Sequence, residues 1–129
     1  MPHEPLDPNN SCTVYVTQVD YDKDLSDARR FGRLQAVFAR PRRPYDTEKM
    51  IIKAQHILSA WQPGDHLLML GDPTLCAVCM AVLAEDNDVI NVLSWDRNTF
   101  QYQSQRWDFT PRGADFETPD FPDNLESEN

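Results

Sequence analysis

Eight basic side chains lie between residues 29 and 53, and six of them are arginines. Only Asp46 and Glu48 oppose them in this stretch. The planar guanidinium of arginine suits phosphate and carboxylate groups, so the segment could contact nucleic-acid phosphates or an acidic protein surface. The predicted binding residues are Arg29, Arg30, Arg33, Arg40, Arg42, Arg43, Lys49 and Lys53. The plainer alternative is a solvated face whose arginines pair with the aspartates between residues 20 and 27.

Cys76 and Cys79 form a C-x-x-C motif near the start of a predicted helix that follows a predicted buried strand. This is the setting of a thioredoxin-like redox pair. Capping by Asp72 would place Cys76 about one turn inside the helix, and apolar neighbours disfavour a thiolate. We therefore favour two cysteines that pack within the domain. A thioredoxin-like redox protein that uses this pair is kept as an alternative function.

The turn Gly71–Thr74 is the other candidate for small-molecule chemistry, because amide groups at a helix N-terminus can bind an anion. Asp72 as N-cap and Pro73 at the first helical position explain the turn without a ligand, and the carboxylate of Asp72 would repel an anion. A small-ligand-binding α/β protein that uses this turn completes the alternative function.

No catalytic or metal-binding constellation is predicted. Cys12, His56 and His66 do not supply a second ligand pair with the spacing that would complete a site with Cys76 and Cys79. No serine lies in a G-x-S-x-G elbow, and no nucleophile lies beside a histidine in the sequence. We therefore predict a protein that is not an enzyme and uses no cofactor.

The chain has 129 residues, and 12 Lys and Arg against 21 Asp and Glu give a net charge of -9. This length fits one domain, and a hydrophobic content of 40% supplies one modest core. No stretch approaches the ~20 apolar residues of a membrane span. Three cysteines, an odd number, do not make a disulfide framework. These features predict a cytoplasmic protein that does not associate with membranes.

Acidic residues concentrate at the C-terminus. Residues 113–129 hold six acids, two prolines and no Lys or Arg. Such a segment cannot bury enough apolar surface to offset its ordering entropy, so we predict a disordered acidic tail. Three prolines predict an extended lead-in over residues 1–11, which leaves residues 12–112 as the domain. The tail could shield the basic segment or itself imitate nucleic acid.

The pattern of apolar and polar residues predicts strands over residues 13–19, 34–39, 66–70, 89–95 and 99–107. The unbroken apolar run His66–Leu70 is typical of a central strand that is covered on both faces. The last two strands would form a hairpin, with the glutamine-rich arm at the sheet edge. The predicted fold class is α/β, a single small domain with a mixed sheet of about five strands packed by two to three helices.

Three helices are predicted between these strands. A short one over residues 24–32 would be capped by Asp24 or Ser26, with Gly32 in the left-handed position after its end. The second starts at Asp46 or Thr47 and runs to about Trp61, with apolar residues at helical spacing. The third covers residues 74–85 and is apolar nearly all round, so it should be largely buried.

Three strings of the sequence resemble a known group of proteins. They are DLSDARRFG from Asp24, DHLLMLGDP from Asp65 and VLSWDR from Val92. Together these strings are similar to small proteins encoded by tailed bacteriophages, over roughly residues 12–108. The resemblance implies a small cytosolic phage protein made in an infected bacterium, and it assigns no activity to particular residues.

Because acid–base machinery is missing, we predict a non-enzymatic phage accessory protein that binds a host protein or nucleic acid and modulates host machinery. The sequence leaves open which of these partners it takes, and also the oligomeric state.

Overall fold

The computed structural model describes residues 12–20, 22–40 and 46–122. The predicted lead-in over residues 1–11, the side chains of Arg42 and Arg43, and the last seven residues of the predicted tail lie outside these ranges. The strands are β1 Thr13–Gln18, β2 Arg33–Phe38, β3 His66–Leu68, β4 Val89–Asp96 and β5 Gln101–Asp108. The helices are α1 Thr47–Leu58, α2 Pro73–Asp86 and a 3-10 helix over Ser26–Phe31.

The described strands form one sheet in the order β2-β1-β3-β4-β5. The first four strands are parallel, and β4 and β5 pair as an antiparallel hairpin. The helix α1 links β2 to β3 across β1, and α2 links β3 to β4. The predicted α/β fold with a mixed five-stranded sheet and a C-terminal hairpin is confirmed, as is the edge position of β5. Within the described ranges, neither α-helix is long and apolar enough to cross a membrane.

The two α-helices pack on one face of the sheet, where Tyr15, Leu67 and Ile90 form the strand side of the core. Only one stripe of α2 is buried, formed by Leu75, Cys79 and Leu83. Val78, Met80 and Val82 are partly buried against the same core, so the prediction that α2 is largely buried holds for its inner side and is wrong for its solvent side. A helix on the outside of a two-layer fold faces the sheet with one side only, and small alanines occupy much of the solvent side of α2.

The 3-10 helix covers the other face of the sheet, where Ala28 packs among Val14, Val16 and Leu68. The prediction of a helix over residues 24–32 was wrong in its length and type, because the helix covers only Ser26–Phe31 and is of the 3-10 type. Its N-cap residue Leu25 makes no side-chain hydrogen bond, but Asp24 Oδ1 accepts from the amide of Ser26, the first helical residue, at 2.9 Å. Gly32 follows it with φ 152° and ψ -178°, which is not the predicted left-handed helical conformation. Glycine is required there because a side chain would overlap the Cys12 carbonyl.

The strand β3 ends two residues earlier than the apolar run predicts. The Thr17 hydroxyl donates to the Leu70 carbonyl at 2.6 Å and accepts from the Leu70 amide at 2.7 Å, which holds Leu70 against β1. Leu68 is the last residue of β3 to pair with β4, opposite Leu93, whereas β4 continues to Asp96. Among the described residues, no strand pairs with residues 94–96 on the β3 side.

Candidate functional site

The predicted binding residues are distributed over both faces of the sheet. Arg29 and Arg30 lie in the 3-10 helix on one face, and Lys49 and Lys53 lie on α1 on the opposite face. Two further arginines flank the edge strand β2, with Arg33 at its first residue and Arg40 just after its end. The structure therefore divides this segment, which is continuous in sequence, into two groups. The first group is on the 3-10 helix, and the second group lies along β2 and α1 and consists of Arg33, Arg40, Lys49 and Lys53.

The Arg30 side chain makes hydrogen bonds within the domain. Its Nε lies 2.8 Å from Asp27 Oδ1, and its Nη2 donates to the Tyr102 carbonyl at 2.9 Å. The other oxygen of Asp27 accepts from the Tyr102 amide at 2.7 Å. The hydrogen bond from Arg30 is the main reason why the pKa of Asp27 lies below its usual value. This arrangement fastens the 3-10 helix to β5, so the Arg30 guanidinium is already occupied.

The basic residues of the second group follow β2 and α1. Lys53 Nζ is 5.9 Å from the centroid of the Phe38 ring at the end of β2. His56, one turn further along α1, lines a groove of about 600 Å³ together with Arg33 at the start of β2. Since α1 returns alongside β2, cationic side chains accompany the edge strand over its length.

We define the β2–α1 surface as Arg33, Lys49, Ile52, Lys53 and His56, all of which are exposed. Its four α1 residues have the spacing i, i+3, i+4 and i+7, so they share one helix face. Ile52 is 56% exposed, and the neighbouring Ile51 is 41% exposed. Lys49 Nζ lies 3.9 Å from Asp46 Oδ2, and an exposed pair of this kind contributes little. The face therefore combines positive charge with exposed apolar area.

Asp65 forms the floor of the groove beside this surface and is only 3% exposed. Its Oδ1 accepts from the Thr13 amide and its Oδ2 accepts from the Gln62 amide, both at 2.8 Å. Burial raises the pKa of the nearby Tyr15 phenol, and the charge of Asp65 adds to this effect. Sequence reasoning missed Asp65. The available signal was an aspartate between the Pro63-Gly64 turn and an apolar strand.

The C-x-x-C pair lies inside α2, as the Asp72 cap predicts. Cys76 Sγ is 3.5 Å from Thr17 Oγ1 and 3.6 Å from the Leu70 carbonyl oxygen. Cys79 is fully buried in the core, and this burial raises the pKa of its thiol to about 12. A thiol with such a pKa carries almost no thiolate at neutral pH. These surroundings support packing roles for both cysteines.

The two histidines that were considered as metal ligands lie far apart. His56 is on the β2–α1 surface, whereas His66 is on β3 with its Nε2 2.9 Å from Ser104 Oγ. The His66 ring also lies 5.1 Å from the Phe31 ring, and burial lowers the pKa of His66. Within the described parts of the chain, no group of three His, Cys, Asp or Glu residues could hold a metal ion.

The Gly71–Thr74 turn is held by side chains of the protein itself. Asp72 Oδ1 accepts from the Thr74 amide at 2.8 Å, with Pro73 at the helix start, as predicted. Gln18 Oε1 accepts from the Asp72 amide at 2.8 Å. The Gln18 side chain lies so close to Gly71 that a Cβ at this position would overlap it. Gln18 therefore fills the crevice between β1 and β3, where open sheets of this strand order bind ligands.

Comparison of the chain with curated proteins and with solved structures gave no match in either case. Comparison with protein families gave a match to the family described as Phage Pam3 gp32-like protein, over residues 12–109. This span begins one residue before β1 and ends one residue after β5, so it contains the whole sheet. The predicted resemblance to small phage proteins is confirmed. The chain belongs to the Phage Pam3 gp32-like protein family.

Proposed function

We propose that this phage protein is a non-enzymatic binding module that engages an acidic host protein through the β2–α1 surface. The observation that carries the proposal is the exposed face of α1, where Ile52 lies between Lys49 and Lys53 and a further isoleucine is exposed beside it. An isoleucine side chain that is exposed to water is unfavourable for the free protein, but it can form the apolar centre of a contact whose rim is charged. The cations would then guide an acidic partner to this face.

Several features favour a protein over nucleic acid as the partner. The five residues of the β2–α1 surface include no Phe, Tyr or Trp, the rings that usually form a stacking platform for bases. Arg30 is already occupied by Asp27. The net charge of -9 also opposes a uniformly charged polyanion more than a protein whose acidic residues form one patch. Host origin is the first expectation because phage proteins are made inside an infected bacterium.

Reversing two charges on α1 tests the proposal. The K49E/K53E variant keeps the buried residues Ala54 and Leu58, so the fold should remain intact. Tagged protein is incubated with nuclease-treated bacterial lysate, and captured proteins are quantified by mass spectrometry. We expect the unchanged protein to capture a stoichiometric acidic protein, and the variant to lose at least about tenfold of that affinity through like-charge repulsion at the contact.

The matched control is K23E/R97E, which makes the same change in net charge at exposed positions away from α1. It should capture the partner as well as the unchanged protein does. Equal loss in both variants would mean that net charge alone governs capture, which contradicts a site on α1. Capture that occurs only in a parallel lysate without nuclease treatment would identify nucleic acid as the partner instead.

The acidic tail is proposed to compete for the same surface. The strand β5 ends where Asp108 pairs with Val89, at the amino ends of the parallel strands, which is also the end where the Arg33 groove lies. Crossing four strand spacings requires only ~19 Å. Residues 113–129, fully extended, could span up to ~55 Å. The tail is therefore long enough to reach the β2–α1 surface.

Truncation after Arg112 removes six acids and should raise affinity for the captured partner several-fold in low salt, with a smaller gain in high salt. Surface plasmon resonance against the purified partner at two salt concentrations measures this change. Replacing the tail with an uncharged glycine–serine segment of equal length should give the same gain. Identical affinity with and without the tail would reject the competition.

A further inference from the structure

A cavity of about 790 Å³ opens at the carboxyl ends of β3 and β4, away from the β2–α1 surface. It lies where β3 ends at Leu68, so that β4 continues to Asp96 with β5 on one side and no described strand on the other. The loop before the 3-10 helix forms one wall, and the β4–β5 hairpin forms the other. A volume of this size fits a small ligand or a few side chains of a peptide.

The hairpin wall of the cavity is aromatic. The Trp95 and Tyr102 rings lie 4.9 Å apart in an edge-to-face arrangement. Phe100 stands at the rim and is 72% exposed. Its φ is 54°, a conformation that costs free energy for a bulky residue, so the hairpin holds this ring outward at an energetic cost. Aromatic faces of this kind attract cations as well as apolar groups.

The opposite wall of the cavity is acidic, with Asp22, Asp24 and Asp27 among its lining residues. Asp27 is committed to Arg30, but the Asp22 side chain is 91% exposed. Burial raises the pKa of the Tyr102 phenol, and the charges of Asp27 and Asp24 raise it further. Asp24 and Asp27 therefore lie close to Tyr102 in the aromatic wall.

One cation lines this cavity, and a second lies near one of its carboxylates. Lys23 lines it, and Arg40 Nη2 lies 4.0 Å from Asp22 Oδ2. Both side chains are on exposed segments, and an ion pair of that length at the surface is weak. An incoming cation can therefore displace Arg40 from Asp22 at little cost.

The cavity also gives access to strand backbone. Residues 94–96 of β4 pair with β5 on one side, and no described strand pairs with them on the β3 side. An extended segment placed beyond the end of β3 could form main-chain hydrogen bonds with this edge, which is how many domains recognise peptides. Neither a free amine nor a metal ion would use such an edge.

We propose that the cavity binds an extended peptide segment that carries a lysine or arginine side chain. The peptide backbone pairs with residues 94–96 in the position that a longer β3 would occupy. Its cationic group lies against Trp95 and Tyr102 and faces the carboxylates of Asp22 and Asp24. This site selects positive charge, whereas the β2–α1 surface selects negative charge, so the two proposals stand or fall separately.

The test uses the full chain and two blocked pentapeptides, one alternating valine with arginine and one alternating valine with glutamate. Binding is followed by amide chemical shifts and by tryptophan fluorescence. We expect the arginine peptide to bind and to shift the amides of residues 94–96, and the glutamate peptide to do neither. D22N/D24N should weaken binding roughly three- to tenfold, the range for two partly solvated ion pairs. Both substitutions keep a side-chain oxygen that can accept a hydrogen bond.

The matched control is D115N/D120N, which removes two exposed carboxylates far along the chain from the cavity and makes the same change in net charge. It should leave binding unchanged. Equal weakening by both double variants, or equal binding of the two peptides, would overturn the proposal. Spermidine is a further control. If it shifts the same amides and binds with the same affinity as the arginine peptide, the proposal is overturned, because the peptide backbone would then contribute nothing to the affinity.

Discussion

Leu68→Asp should leave the chain without a cooperatively folded state. Leu68 is 2% exposed in the central strand β3, with Val16 and Leu93 as its neighbours on the two sides. An unpaired carboxylate at such a position costs several kcal/mol even after relaxation. A domain of this size has a total stability of only about 5–15 kcal/mol. The substitution should therefore remove most or all of the free energy of unfolding.

Thermal unfolding followed by circular dichroism, together with the yield of soluble protein, measures this effect. Ile52→Asp is the matched control, since it makes the same chemical change at a residue that is 56% exposed. The control should melt within a few degrees of the unchanged protein. A soluble Leu68→Asp variant with a cooperative transition close to the control would show that β3 is not the centre of the core.

The sheet and both α-helices could be predicted because their signals are local. The apolar run around Leu68 marks a central strand, and the helical spacing of apolar residues marks α1. Asp72 and Pro73 mark the start of α2 through capping chemistry that needs only neighbouring residues. Each signal acts over a few residues, so no knowledge of the tertiary structure is required.

The errors arise where distant residues decide the local structure. The end of β3 depends on the Thr17 hydroxyl, which lies 53 positions before Leu70 in the sequence. The outer side of α2 is exposed because no further layer among the described residues covers it. The 3-10 helix depends on Arg30 and Asp27 binding the backbone of Tyr102, more than 70 positions away. Local propensity contains none of this information.

The sequence predicts the candidate site only as a basic segment between residues 29 and 53. The sequence identifies the cations, but it cannot show that Arg30 is occupied or that Arg33 and His56 share a groove. Ile52 falls outside the apolar spacing of α1, which could have marked it as exposed. Ile51 fits that spacing and is nevertheless 41% exposed, because the sheet covers a narrower side of the helix than the pattern implies.

Asp65→Ala should lower the free energy of unfolding by about 2–4 kcal/mol, because two backbone amides lose a charged acceptor inside the protein. Those amides belong to Thr13 at the start of β1 and to Gln62 in the connection from α1 to β3. Asp65→Asn keeps one oxygen and should lose roughly half as much. Urea unfolding followed by tryptophan fluorescence gives the three values.

Asp46→Ala provides the matched control for this prediction. Asp46 is exposed and accepts one backbone hydrogen bond, from the Lys49 amide at 3.2 Å, as the cap of α1. Its loss should cost only about 1 kcal/mol. If Asp65→Ala costs no more than this, water must replace the carboxylate at both amides, and the groove floor is wetter than its burial implies. A larger cost instead makes Asp65 the residue that holds the connection before β3 against β1, and with it the groove shared by Arg33 and His56.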